Sequence, residues 1–153
     1  MSFWDSLRIG ASALTAQRIR MDVISNNIAN AETTRTADGG PYQRQEVVFS
    51  TQGRDHSMLP ALVLARRNPE AKDLLPIQGV QVNQIITDDQ PGQRVYDPTH
   101  PDADAEGYVT YPNVNIVTEM TNLLSATRSY EAGLAVVEAA KRMALRALEI
   151  GRG

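Results

Sequence analysis

All eight prolines of this 153-residue chain fall between residues 32 and 112, together with most of its glycines. Residues 3–31 contain no proline and one glycine, Gly10; residues 113–150 contain no proline and one glycine, Gly133. Proline removes a backbone donor and collides with the preceding turn, so its absence leaves both ends free to form uninterrupted helices. The expected order is helix, broken middle, helix.

Apolar spacing supports the same order. In the first stretch Trp4, Leu7, Ala11, Leu14, Met21 and Ile28 recur at steps of three, four and seven, with Arg18 and Ser25 filling the series. That is the 3.5-residue period of a coiled-coil seam. In the last stretch Ile116, Met120, Leu123, Thr127, Tyr130, Leu134, Val137, Lys141, Ala144 and Leu148 alternate steps of four and three. A second stripe runs Val136, Ala140, Met143, Ala147, Ile150. At ~1.5 Å per residue the two helices would reach roughly 40 and 55 Å. A domain of this size has a radius of gyration of about 15 Å, too short to enclose such seams. Each seam therefore needs the other terminal helix, other copies of the chain, or both. A plain intramolecular helical hairpin is the alternative that the pattern alone leaves open. The residues expected to carry these contacts are Leu7, Leu14, Met21 and Ile28 from the first helix, and Leu123, Tyr130, Leu134 and Val137 from the last.

The middle reads as short β-like runs at residues 42–49, 78–87 and 108–111, separated by turns at Gly39-Gly40-Pro41, Pro91-Gly92 and Asp97-Pro98. Residues 58–65 fit a strand or a helical turn, and 68–76 an exposed loop. The expected fold class is mainly α with a small β-rich insertion. Residues 1–31 plus 113–153 form paired, coiled-coil-like terminal helices, and residues 32–112 a β-rich middle region.

Several functions are disfavoured. The net charge is −3 and no segment concentrates Lys or Arg, so a nucleic-acid surface is not expected. No cysteine is present, which removes disulfides, thiolate metal sites and thiol nucleophiles. The N-terminal residues lack the basic and apolar regions of a secretory signal, and no run approaches the roughly 18 apolar residues of a membrane span. Asp102, Asp104, Glu106 and Gly107 imitate the start of a calcium loop, but the twelfth position is Asn113 rather than the bidentate Glu such a site requires. His56 and His100, the two histidines, stand in no ligand spacing. Neither catalytic residues, a metal nor a cofactor are expected.

The sharpest local signal is Arg20-Met21-Asp22-Val23-Ile24-Ser25-Asn26-Asn27-Ile28-Ala29-Asn30-Ala31-Glu32-Thr33. Three asparagines, Asn26, Asn27 and Asn30, disfavour a helix interior but suit its end, where Asn tolerates a left-handed conformation and its amide can satisfy free carbonyls. This segment resembles the signature of the flagellar rod, hook and hook-associated axial proteins. Within that family, residues 40–49 (GPYQRQEVVF) and 96–115 (YDPTHPDADAEGYVTYPNVN), with Ser129-Tyr130-Glu131-Ala132 further on, resemble the proximal-rod subunits. The resemblance covers residues 1–50 and 77–153. It implies a filament subunit whose terminal helices pair into an inner domain around an export channel, with the β-rich middle outside and Asn26, Asn27 and Asn30 at the junction. It implies export by the flagellar type III apparatus and a place in the basal-body rod, in the periplasmic space, with no direct membrane insertion. Implied partners are further copies of the chain, neighbouring rod proteins and the adaptor at the membrane-embedded ring. A distal-rod or hook-type subunit, or a non-flagellar coiled-coil assembly protein, is the alternative.

Overall fold

The structure, a computed structural model, describes residues 3–37, 39–52 and 79–151. His56, Gln78 and the stretches at 58–65 and 68–76 lie outside the described residues. With no proline to interrupt them, helix α1 runs Phe3–Ala29 and helix α2 runs Ile116–Ile150, 35 residues long. Asn115 starts α2: its Oδ1 accepts the Thr118 N–H at 3.1 Å and its carbonyl accepts the Glu119 N–H at 2.9 Å. A first-turn donor that would otherwise lack a partner is thereby satisfied. At the end of α1 the Asn30 backbone N–H and its side-chain amide both donate to the Asn26 carbonyl, at 3.1 and 3.0 Å. No described residue other than glycine has a positive φ. The amide route closes this helix, not the left-handed one.

Between the helices, β1 (Gln45–Thr51) pairs with β2 (Val80–Thr87), and β3 (Arg94–Tyr96) with β4 (Tyr108–Thr110). β1 and β2 run antiparallel. The Asp88 N–H donates to the Arg44 carbonyl at one end of the pair, and the Gln52 N–H to the Gly79 carbonyl at the other. In the second pair Val95 lies opposite Val109 and Tyr96 opposite Tyr108. The Tyr96 and Tyr108 rings meet edge to face at 5.3 Å, and the Arg94 guanidinium sits 4.9 Å above Tyr108. The architecture is mainly α with a small β-rich insertion, the expected class. β3 is an element the pattern misses, because three residues are too few to display alternation.

The described chain divides into two compact units, and each long helix contributes one half to each of them. The first unit draws on residues 1–16, 49–83 and 130–153. There Val137 packs over Gly10, where a Cβ would come within 2.6 Å of its Cγ2, and Leu14 packs over Gly133, 3.2 Å from a Cβ at that position. The pairs 10 with 137 and 14 with 133 describe antiparallel helices that approach closely because each contact sets a large side chain on a glycine. Ser12 Oγ donates to the Ile9 carbonyl at 2.7 Å and accepts the Val80 N–H at 3.1 Å, tying β2 to α1. The second unit, residues 17–48 and 84–129, buries Val23, Ile24, Ala31, Val109 and Ala126. Its helix halves also run antiparallel, with Thr127 Oγ1 3.6 Å from Met21 Sδ and Asn27 beside Glu119.

Candidate assembly surfaces and the asparagine junction

The three asparagines of the motif have different surroundings. Asn27 is fully buried (0% exposed) and uses its whole amide. Its Nδ2 donates to the Gln45 carbonyl at 2.8 Å and to Glu119 Oε2 at 3.3 Å. Its Oδ1 accepts the Gln45 N–H and the Tyr42 hydroxyl, both at 2.9 Å. One side chain thus binds both backbone groups of the first residue of β1, as a neighbouring strand would. Asn30 lies one turn on and donates to Asn26 Oδ1 at 2.9 Å, while the exposed Asn26 reaches the Tyr42 hydroxyl at 3.3 Å. Asn27 is the member that joins elements; Asn26 and Asn30 finish the helix.

Glu119, on the first turn of α2, is 1% exposed. Arg44 grips its Oε1 through Nε and Nη2, both at 2.9 Å, and extends Nη1 to Glu46 at 3.3 Å. Burial acts against the Arg44 charge, but the hydrogen bonds and charges of Glu119 and Glu46 outweigh it and hold its pKa above the ordinary value. Burial, and then the Glu119 charge, also raise the Tyr42 phenol above its ordinary 10.0. A buried carboxylate is tolerated only when its oxygens are matched in this way.

Sequence reasoning named none of Glu119, Arg44 or Gln45 as functional. Their partners lie 18 to 92 residues away, and no local spacing encodes such a pairing. The one available signal was an acid on the apolar side of a helix beginning.

Of the seam candidates, Leu14 and Val137 meet the other helix in the first unit, each over a glycine, and Met21 meets Thr127 in the second. Leu7, Ile28, Leu123 and Tyr130 are half-buried. Leu134 is 41% exposed. In the second unit α2 leaves Val117 (74%), Met120 (57%) and Leu124 exposed. In the first unit it leaves Val136, Met143, Leu145, Leu148 and Ile150 exposed, whereas Ala140 of the second stripe is buried.

The acidic loop is held by its own hydrogen bonds. Asp97 Oδ1 accepts the Thr99 N–H and hydroxyl, and Asp104 Oδ1 accepts the Glu106 and Tyr108 N–H groups. Those bonds, led for Asp97 by the Thr99 hydroxyl and for Asp104 by the Tyr108 amide, lower both carboxyl pKa values. Asp102 accepts the Thr34 hydroxyl at 2.7 Å, and Gly107, at φ 81°, turns the chain back into β4. Among the described residues no three His, Asp or Glu side chains converge as metal ligands. No helix among them is long and apolar enough to cross a membrane.

Comparison with known proteins follows the same elements. Residues 7–35 match the family described as flagella basal body rod protein, and residues 105–150 the C-terminal family of flagellar basal body rod FlgEFG proteins. The flagellar basal-body rod protein FlgC of Borreliella burgdorferi is 43% identical, with both chains covered completely. That of Bacillus subtilis is 44% identical over 99% of this chain and all of the relative; that of Escherichia coli O6:H1 is 37% identical over the same shares. A likeness of this extent, spanning both helices and the middle region, places the chain in the FlgC family of flagellar basal-body rod proteins, as a structural subunit of the rod and not an enzyme.

Proposed function

We propose that this chain polymerises through its terminal helices in the proximal part of the rod and helps carry torque from motor to hook. Residues 1–31 and 113–153 form the inner, polymerising domain, and residues 32–112 lie outside it. The chain assembles with other basal-body rod components, with further copies of itself and with the adaptor at the membrane-embedded ring. It reaches the periplasmic space through the flagellar type III export apparatus.

The observation that carries this reading is the apolar surface that α2 leaves uncovered, from Val117 and Met120 to Met143, Leu148 and Ile150. Covering each large side chain at a subunit contact stabilises by roughly 1.5–3 kcal/mol. A long helix that turns such residues outward along much of its length suits a subunit packed side by side with neighbours.

Replacing Leu134 with Asp tests the reading. It is 41% exposed, so the lone chain accommodates the charge, whereas a packed interface does not. Cells carrying the variant should export the protein yet form no rod and fail to swim. Normal swimming would overturn the packing role of this face.

A further inference from the structure

Near the start of α2 two overlapping stripes compete for the seam with α1. Ile116, Met120, Leu123 and Thr127 make the more apolar one; Glu119, Leu123, Ala126 and Tyr130 make the other. Hydrophobic burial alone selects the first. The structure adopts the second: Glu119 and Ala126 are buried, while Ile116 and Met120 are exposed. At about 100° per residue the two choices differ by roughly 60° of rotation about the helix axis.

We propose that Glu119 is a positioning residue that sets this rotation. Arg44 holds one carboxylate oxygen twice at 2.9 Å, and Asn27 holds the other at 3.3 Å. Asn27 is itself pinned to the Gln45 backbone. Turning α2 to bury Met120 would carry Glu119 out of this pocket and break every one of those bonds. The buried acid thus selects one rotation of the helix, as a lone polar residue selects register in a coiled coil. Its consequence is the outward placement of Met120. Use of that face by a neighbouring subunit rests on the assembly reading above.

The test is thiol labelling of the purified chain, which needs no flagellum, so its failure is distinct from a failure of assembly. The chain has no cysteine, so Met120→Cys, Ile116→Cys and Arg128→Cys each report alone. Arg128 is exposed and lies on a side that neither rotation buries. In a Glu119→Ala background, labelling at 120 and 116 should slow by about tenfold, the factor given by 1.4 kcal/mol of preference for the apolar stripe. Labelling at 128 should hold. Glu119→Gln, which keeps an oxygen for Arg44 or Asn27, should retain the wild-type rates. Unchanged rates at 120 and 116 in Glu119→Ala, with helix content intact by circular dichroism, would overturn the proposal. A general rise at all three reporters would overturn it too, since Glu119 would then hold the fold and not the rotation.

Discussion

The two units share the same pair of helices but are held by different means. In the unit built from residues 17–48 and 84–129, Val23, Ile24 and Val109 supply apolar bulk, and Asn27, Arg44 and Glu119 join three chain segments with directional bonds. In the unit built from residues 1–16, 49–83 and 130–153, the buried residues among those described are small: Gly10, Ala16, Gly79 and Ala140. Small contact residues let backbones approach but remove little apolar area from water, so the contact stabilises weakly. Of the larger side chains there, Leu14 and Val137 are half-buried against the opposite helix, while Met143, Leu148 and Ile150 face outward. One unit has a core fixed by directional bonds, though its α2 face too leaves Val117, Met120 and Leu124 exposed. The other has a helix contact whose strongest apolar groups await cover.

The largest effect should come from Asn27→Leu. It strands the Gln45 N–H and carbonyl, each costing roughly 1–3 kcal/mol when buried without a partner. Urea unfolding of the isolated chain should show a loss of about 3 kcal/mol or more. A loss below about 1 kcal/mol would erase the distinction between the units, because that is the scale of one ordinary hydrogen bond.

A matched pair of glycine substitutions sharpens the contrast. A Cβ on Gly92 would run into the Tyr111 carbonyl and Pro112, backbone that cannot yield, so Gly92→Ala should cost about 2–3 kcal/mol. A Cβ on Gly10 would meet the Val137 Cγ2 at 2.6 Å, a β-branched side chain that can yield only by shifting, which sets about 1–3 kcal/mol of overpacking against the roughly 1 kcal/mol of helix propensity that Ala regains. Gly10→Ala should therefore destabilise by about 0–2 kcal/mol, less than Gly92→Ala. The two variants compared by thermal unfolding decide whether the first unit is the more forgiving.

Amide exchange on the isolated chain reads the contrast directly. Residues 140–150 of α2 should exchange about tenfold or more faster than residues 117–129 of the same helix, a difference of ~1.4 kcal/mol in opening. Equal protection along the helix would show that the terminal half needs no neighbour.

A small effect should come from Tyr42→Phe, which removes the hydroxyl's hydrogen bonds with Asn27 and with the exposed Asn26, at about 1 kcal/mol. Because folding raises the Tyr42 pKa, its contribution is fully present below pH 10 and is lost as pH rises through the raised value. The alkaline limb of the stability profile should accordingly flatten in the variant.

Much of this molecule was legible without its structure. Proline placement and 3.5-residue spacing mark both long helices to within a few residues, because local sterics and one-sided burial act over a turn or two. Helix length against domain size raised the need for partners by the same kind of local count. The asparagine cluster identified its own helix end, and with the Tyr-Asp-Pro-Thr-His-Pro stretch it pointed to the flagellar axial family. Tertiary structure alone decided which side of α2 turns inward. The choice between Glu119 and Met120 depends on Arg44 and Asn27, 75 and 92 residues distant in the chain. A seam defined by period fixes a stripe only to within one residue; a buried charge with matched partners resolves the choice, because leaving it unmatched costs more than exposing a methionine.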